Sequence, residues 1–184
     1  DITWEHCNLR EWLNNDFYQT AFNQTEQNAI ALTSLANPPT DIYEVKDIYN
    51  QSSYFFSEPN LSAYGDAINS WQIDNGNNTN DYVFVLSSTE YQTYFPDTAY
   101  NGWFGLYNKE AAATPTEYAI AQNVWVHNMD PDANGGYTWY NGYSMFWLRS
   151  RSFNNYYLVV SLSGNPDFYG YCTDSTVGIR PAIW

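Results

Sequence analysis

Apolar positions recur with helical spacing at the start of the chain. Leu9, Trp12, Leu13 and Phe17 fall at i, i+3, i+4 and i+8, one stripe of an amphipathic helix. Asn8 stands where it caps that helix, with Glu11 at the third helical position. A second short helix is predicted to start after Asn23, with Glu26 three residues on, Ala29 and Ile30 on its buried face and Asn37-Pro38-Pro39 as its stop. Residues 40 to 80 lose the pattern. Asn, Ser and Tyr dominate them, and they read as a long irregular insertion closing on the loop from Asp74 to Asn80. Tyr82-Val83-Phe84-Val85-Leu86 is then continuously apolar, which predicts a buried central strand. Ser87-Ser88-Thr89-Glu90 is a capping box for a short helix through Tyr94. Thr114-Pro115-Thr116-Glu117 predicts another helix, with Thr114 as cap and Pro115 at its first position.

From Val124 onward the pattern becomes that of short strands and turns. Asp130 to Gly136 is a turn, and Phe146-Trp147-Leu148, Tyr157 to Leu162 and Val177-Gly178-Ile179 read as strands. Alternation sets Leu158, Val160 and Leu162 against Tyr157, Val159 and Ser161. Helices early and strands late predict an α+β protein of short helices on small antiparallel sheets, without internal repeats. Its 184 residues suit a single domain over 1–184. Trp4, Trp12, Trp125 and Trp147 are expected in the core.

Charge narrows the partners. Acidic residues outnumber basic ones 20 to 6, a net charge of −14. Nucleic acid and anionic membrane surfaces are therefore excluded as expected partners, since both need clustered Lys and Arg. No apolar run reaches the roughly 20 residues of a bilayer span. The chain opens at Asp1 rather than Met, as a processed product or a fragment does. Two cysteines, Cys7 and Cys172, allow one bridge or none, and His6 and His127 are too isolated for a Cys/His zinc site.

Several motifs carry a resemblance. Thr3-Trp4-Glu5, Leu9-Arg10-Glu11-Trp12-Leu13-Asn14 and Phe17-Tyr18 resemble the opening of a domain-of-unknown-function family common in gut bacteria and their phages. Thr79 to Ser87 is similar to its T-x-D-x-V-F-L-L-S, and Thr114 to Ala119 to its P-T-x-Y-A helix. Trp147-Leu148-Arg149-Ser150 and Gly178-Ile179-Arg180-Pro181-Ala182 resemble its W-L-R-S and G-V-R-P-A. The family resembles C-type-lectin-like folds of the formylglycine-generating-enzyme type, so the resemblance implies a C-type-lectin-like α+β fold. Two departures stand out: the strands that family members usually carry before T-W-E are absent or removed here, and Arg151 replaces the usual Pro after W-L-R-S.

The same fold displays the hypervariable segment of retroelement-diversified proteins, in which the first two bases of AAC-type codons are randomised. Such codons never become Trp, Lys, Glu, Gln or Met. All 27 residues of those five types lie outside the 30-residue stretch 149–178. That stretch is the candidate variable, ligand-binding region. Its candidate contacts are Arg151, Phe153, Asn154, Asn155, Tyr156, Tyr157, Asn165, Asp167, Phe168, Tyr169, Tyr171, Asp174 and Ser175. Tyr gives large amphipathic contact area at low entropic cost, and Asn and Ser give adaptable hydrogen bonds. An ordinary Asn/Tyr-rich turn region is the competing reading.

Other constellations weigh less. Glu58-Pro59-Asn60 copies the sugar-selecting triplet of calcium-dependent lectins, without a Trp-Asn-Asp to complete it. Asp130, Asp132, Asn134 and Gly135 open like a Ca²⁺ loop but reach Asn141 where a bidentate Glu is required, and the 74–81 loop is similar. No cofactor is therefore expected, with Ca²⁺ the weak exception. Arg10, Arg149 and Arg180 are expected to fix the fold by bonding carboxylates or carbonyls. No catalytic set emerges, and Cys7 and Cys172 do not stand in the paired-cysteine motif of formylglycine-generating enzymes.

The sequence thus predicts a non-catalytic receptor-recognition domain, extracellular, on a cell surface or a virion such as a phage tail. Its partner would be a protein or glycan on a cell surface. A structural or assembly module, associating with other chains, is the alternative; a carbohydrate-active enzyme ranks third.

Overall fold

In the computed structural model the apolar run 82–86 is the centre of the molecule. Val83, Phe84 and Val85 are fully buried, and Trp4, Leu13 and Leu35 pack around them. The structure describes residues 2–41, 72–96, 110–128, 141–151, 157–162, 164, 166–171 and 176–184. The triplet Glu58-Pro59-Asn60 and the loop at Asp130, Asp132 and Asn134 lie outside them.

The chain is mixed α+β, with short helices and small antiparallel sheets. A 3₁₀ turn at Trp4–His6 leads into α1 (Asn8–Trp12), a π-helical turn (Leu13–Phe17) and α2 (Tyr18–Ala21), one nearly continuous helical run. The cap of α1 is Cys7 rather than Asn8: its sulfur accepts the Arg10 N–H at 3.4 Å. Leu13 of the predicted stripe is fully buried, and Leu9 and Phe17 are partly so. Trp12 lies at the edge, tilted on Phe17 and 39% exposed, so it is not a core residue.

α3 (Gln24–Ala29) starts as predicted. Asn23 caps it and Glu26 returns the bond to the Asn23 N–H at 2.8 Å. Ile30 is buried, but Ala29 is exposed, and the helix stops at Ala29, well before the prolines. The chain turns there because residues 33–35 are needed as a strand. β1 (Thr33–Leu35) pairs antiparallel with β4 (Thr79–Asp81), and β2 (Thr40–Asp41) with β3 (Gln72–Ile73). The early half therefore contains strands, contrary to the predicted order of helices first. Both pairs join the two ends of the insertion, where the periodicity is too short to read.

After β4, Val83, Phe84 and Val85 are buried as predicted and Tyr82 and Leu86 are partly so, but the run is not a sheet strand. Only Phe84 makes a bridge, exchanging hydrogen bonds with Ala182 at 3.1 and 2.7 Å. Side chains take the place of the other strand neighbours. The Asn14 amide oxygen accepts the N–H groups of Tyr82 (2.7 Å) and Val83 (3.2 Å), and its nitrogen donates to the Val83 carbonyl (2.9 Å) and to Arg10 O (3.0 Å). Arg149 Nη1 donates to the Val85 carbonyl at 2.9 Å, and the Arg149 N–H to Leu86 O at 3.0 Å. Each buried backbone group so engaged avoids the cost of an unmet hydrogen bond.

α4 (Ser88–Tyr94) is the predicted capping-box helix, with Ser87 and Glu90 bonded reciprocally. α5 (Glu117–Ala121) begins two residues later than expected, because Thr116, not Thr114, accepts the Ala119 N–H. The C-terminal sheet has the order β5 (Phe146–Arg151), β6 (Tyr157–Val160), β7 (Pro166–Tyr171), all antiparallel. Phe146, Leu148, Leu158 and Val160 form a second core with Tyr91 of α4 and Ala111. Val159, predicted to face away from that core, is fully buried too, so β6 is covered on both faces at that position. The predicted strand at 177–179 is a single parallel bridge, Phe146 to Gly178. Trp4 is core and Trp147 half-buried, whereas Trp125 is 43% exposed.

Asn14→Ala strips partners from three backbone groups of the threaded segment at once. It is expected to cost about 3 kcal/mol in chemical denaturation, against less than about 1 kcal/mol for Trp12→Ala on the same helical run. Equal losses would mean that packing, not hydrogen bonding, holds the segment.

Candidate functional site

The motif residues converge pairwise. Asp81, 1% exposed, accepts from Trp4 Nε1 (3.0 Å), Thr79 Oγ1 (2.8 Å) and Arg10 Nε (2.7 Å), which ties T-W-E and L-R-E-W-L-N to T-N-D. Arg149 of W-L-R-S is 1% exposed. It forms a bidentate pair with Glu90, with Nη2 at 2.7 Å from Oε1, and also bonds Asn37 Oδ1 and Ala36 O. Ser150 Oγ accepts the Ser88 N–H at 2.9 Å. These two arginines fix the fold, as their residue type predicts. Burial works to raise the Glu90 pKa, but the Arg149 hydrogen bonds and charge and the Ser87 N–H outweigh it and hold the carboxyl below its ordinary value.

Two candidate contact residues pack inward. Arg151 was expected at the edge of the exposed surface, but it is only 6% exposed. Its N–H bonds Asn75 Oδ1 (2.7 Å) and its Nη1 bonds Asp74 O (3.0 Å). Asn75 in turn reaches Pro38 O and Thr40 Oγ1, so Arg151 locks the end of the insertion onto the sheet. Gly76 closes that turn at φ +84, where a Cβ would lie 2.7 Å from Thr3. Tyr157 is half-buried: its hydroxyl donates to Ile2 O at 3.1 Å and its ring meets Trp147 edge-on at 6.4 Å. Burial pushes its phenol well up, with the neighbouring Cys7 adding to the rise, and burial raises the free thiol of Cys7 as well.

Asp167, Phe168, Tyr169 and Tyr171 lie on β7, which among the described residues pairs with β6. Phe153, Asn154, Asn155, Tyr156, Asn165, Asp174 and Ser175 fall outside the described residues. Both ladders carry an irregularity opposite the same stretch of β6. Trp147 and Arg151 pair with Val159 and Tyr157, a step of four residues against two, and Asp167 and Tyr171 pair with the same two residues. Bulges of this kind raise the local twist and re-aim side chains. Arg151 pairs with Tyr157 and Tyr157 with Tyr171, so three strand termini meet at one end of the sheet.

A cleft of about 410 Å³ lies at the far side of β5, between residues 112–116, Ala119 and Val124 on one wall and 144–146 and 178–181 on the other. Ser144 N–H donates to Ala113 O (2.9 Å), and Gly178 N–H to Met145 O (2.9 Å), which sets the walls. Gly178 allows a close approach there: a Cβ would sit 3.2 Å from Met145 O, so a larger residue would need that backbone to shift by a few tenths of an ångström. Arg180, expected to fix the fold, is exposed. Its guanidinium lies over the rings of Phe95 (5.1 Å) and Phe146 (5.4 Å) and bonds Ala111 O at 3.0 Å. Sequence reasoning passed over this cleft, because Thr114 to Glu117 read there as a helix start, with Thr114 as its cap. No group of three or more His, Cys, Asp or Glu side chains is placed to hold a metal among the described residues.

The architecture is thus mixed α+β, and the segments at Thr3–Glu5, Leu9–Asn14, Thr79–Asp81 and Trp147–Ser150 lock onto partners distant in sequence. Residues 1–56 and 62–184 match the model of a family described as a domain of unknown function (DUF6273), and the chain belongs to that family. No curated protein and no solved structure matches it.

Since folding favours the ionised form of Glu90, the pair with Arg149 stabilises the protein above a carboxyl's ordinary pKa of 4.5 and loses that contribution as pH falls below it. Glu90→Gln, which keeps the helix cap, is expected to lose about 2–3 kcal/mol at pH 7 and to show a smaller decline between about pH 5 and pH 3 than the parent. Parallel acid-side curves would remove Glu90 as the titrating group.

Proposed function

We propose that the domain is a non-catalytic ligand-binding module of C-type-lectin-like fold, which presents the 149–178 stretch to a protein or glycan on a cell surface. The observation that carries this reading is the meeting of Arg151, Tyr157 and Tyr171 at one end of the C-terminal sheet. Two segments of the stretch, 152–156 and 172–175, attach at that end. The sheet itself is anchored by Leu148, Leu158 and Val160, each at most 1% exposed, and by Arg149. A scaffold anchored in this way tolerates exchange of whatever its connecting segments carry. The aromatic and amide composition of 153–175 suits recognition. The absence of Trp, Lys, Glu, Gln and Met from 149–178 fits diversification by a retroelement. Display outside a cell or on a virion follows from that reading, and Arg151 becomes a supporting residue rather than a contact.

A specific observation favours a second reading as an assembly module. Ala31 N–H bonds Trp184 O at 2.8 Å, and around that junction Leu32, Tyr94, Ile183 and Trp184 are 41–57% exposed. An apolar group of this kind marks interaction surfaces.

Replacing Tyr156, Phe168 and Tyr169 together with Ala is expected to abolish retention on glycan arrays and on immobilised bacterial surface-protein fractions that hold the parent. The melting temperature should change by less than about 3 °C. A collapse of the melting transition would make those rings core and overturn the binding assignment. For the second reading, sedimentation of the parent should show concentration-dependent association that Trp184→Ser weakens; a monomer at all concentrations removes it.

A further inference from the structure

Arg180 is the arginine the fold does not use up. Arg10 meets Asp81 and Arg149 meets Glu90, each pair having one fully buried partner. Arg180 carries the same charge in a chain with 20 carboxylates, yet among the described residues none pairs with it. It makes one hydrogen bond, to Ala111 O, and leaves its other N–H groups without a protein acceptor among those residues. The two rings beneath it hold the guanidinium plane, so little conformational freedom is lost when it binds a ligand.

The adjoining cleft has the opposite character. Ala113, Ala119, Val124, Phe146 and Ile179 give it an apolar lining, and no carboxylate stands among the described lining residues. Its volume of about 410 Å³ lies within the range of small-ligand sites, about 300–1,000 Å³. We propose that this cleft binds a small ligand with a short apolar body and a carboxylate, the body filling the cleft and the carboxylate bonding Arg180. A guanidinium matches a carboxylate in a two-pronged geometry. A phosphate dianion is disfavoured, because a single arginine would offset only part of its charge against the protein's net −14. The site is separate from the sheet end of the binding proposal, and it stands whether or not that proposal holds. Two sources share the chemistry: a free branched or aromatic acid, and the C-terminal residue of a peptide.

The test is an NMR titration of the parent protein with 4-methylpentanoate, followed at the methyl groups of Ala113 and Ala119 and at the Arg180 Nε–H. The expected result is saturable shifts at these positions with a Kd near 1 mM, and binding of 4-methylpentanamide weaker by about tenfold or more. Arg180→Gln should abolish that preference for the acid. Ala119→Phe, which fills the cleft and leaves Arg180 in place, should block acid and amide alike. N-acetyl-Ala-Ala-Leu and its C-terminal amide separate the sources: tighter binding of the peptide acid assigns the site to chain ends, and tighter binding of 4-methylpentanoate to free acids. Equal affinity for acid and amide, unchanged binding by Ala119→Phe, or no saturation by about 10 mM would each overturn the proposal. Should Arg180→Gln fail to fold, the acid–amide comparison on the parent and the Ala119→Phe variant decide it.

Discussion

A single extended segment cannot run through a protein core unless its backbone polar groups find partners there. Residues 82–86 do so without a sheet. One asparagine amide serves both N–H groups and the carbonyl at its start, the C-terminal Ala182 serves its middle, and one arginine serves its end. Because each of these partners belongs to a different part of the chain, satisfying the segment positions the N-terminal helices, the final residues and β5 around a common axis. The second core then follows, since β5 carries Phe146 and Leu148 against α4. Leu86 packs against both cores and joins them.

The scarce positive charges do the corresponding electrostatic work. Burying a carboxylate such as Asp81 is tolerable only with several donors around it, and Trp4, Thr79 and Arg10 supply them. Arg149 combines an ion pair, a side-chain amide and two carbonyls, which no lysine would match, since its planar fork presents several donors at once. Arg180 departs from this pattern and stands at a cleft rim instead. With 20 acidic residues against 6 basic ones, the net charge of −14 limits nonspecific contact with anionic polymers.

Much of the C-terminal sheet was legible because it is ruled by period two: Phe146, Leu148, Leu158 and Val160 all reach the core that alternation assigns them. What alternation could not foresee is that Val159, on the opposite side of β6, is buried as well and that Tyr157 reaches Ile2. The candidate contacts divide accordingly. Arg151 looked like a surface residue because a charged side chain beside Asn- and Tyr-rich sequence usually is one. The turn at Asp74 and Asn75, distant in sequence, claims it instead.

Helix starts at Asn23 and Ser87 were settled locally, since a cap and its returning Glu lie within four residues and need no tertiary partner. The burial of 82–86 was equally plain, as five successive apolar residues have nowhere else to go. Whether that run became a strand and whether an arginine ended inside or at a rim were decided by groups some 60 to 110 residues away in sequence. Hydrogen-bond partners at such distances leave no periodic trace in the chain; they exist only once the fold has brought them together.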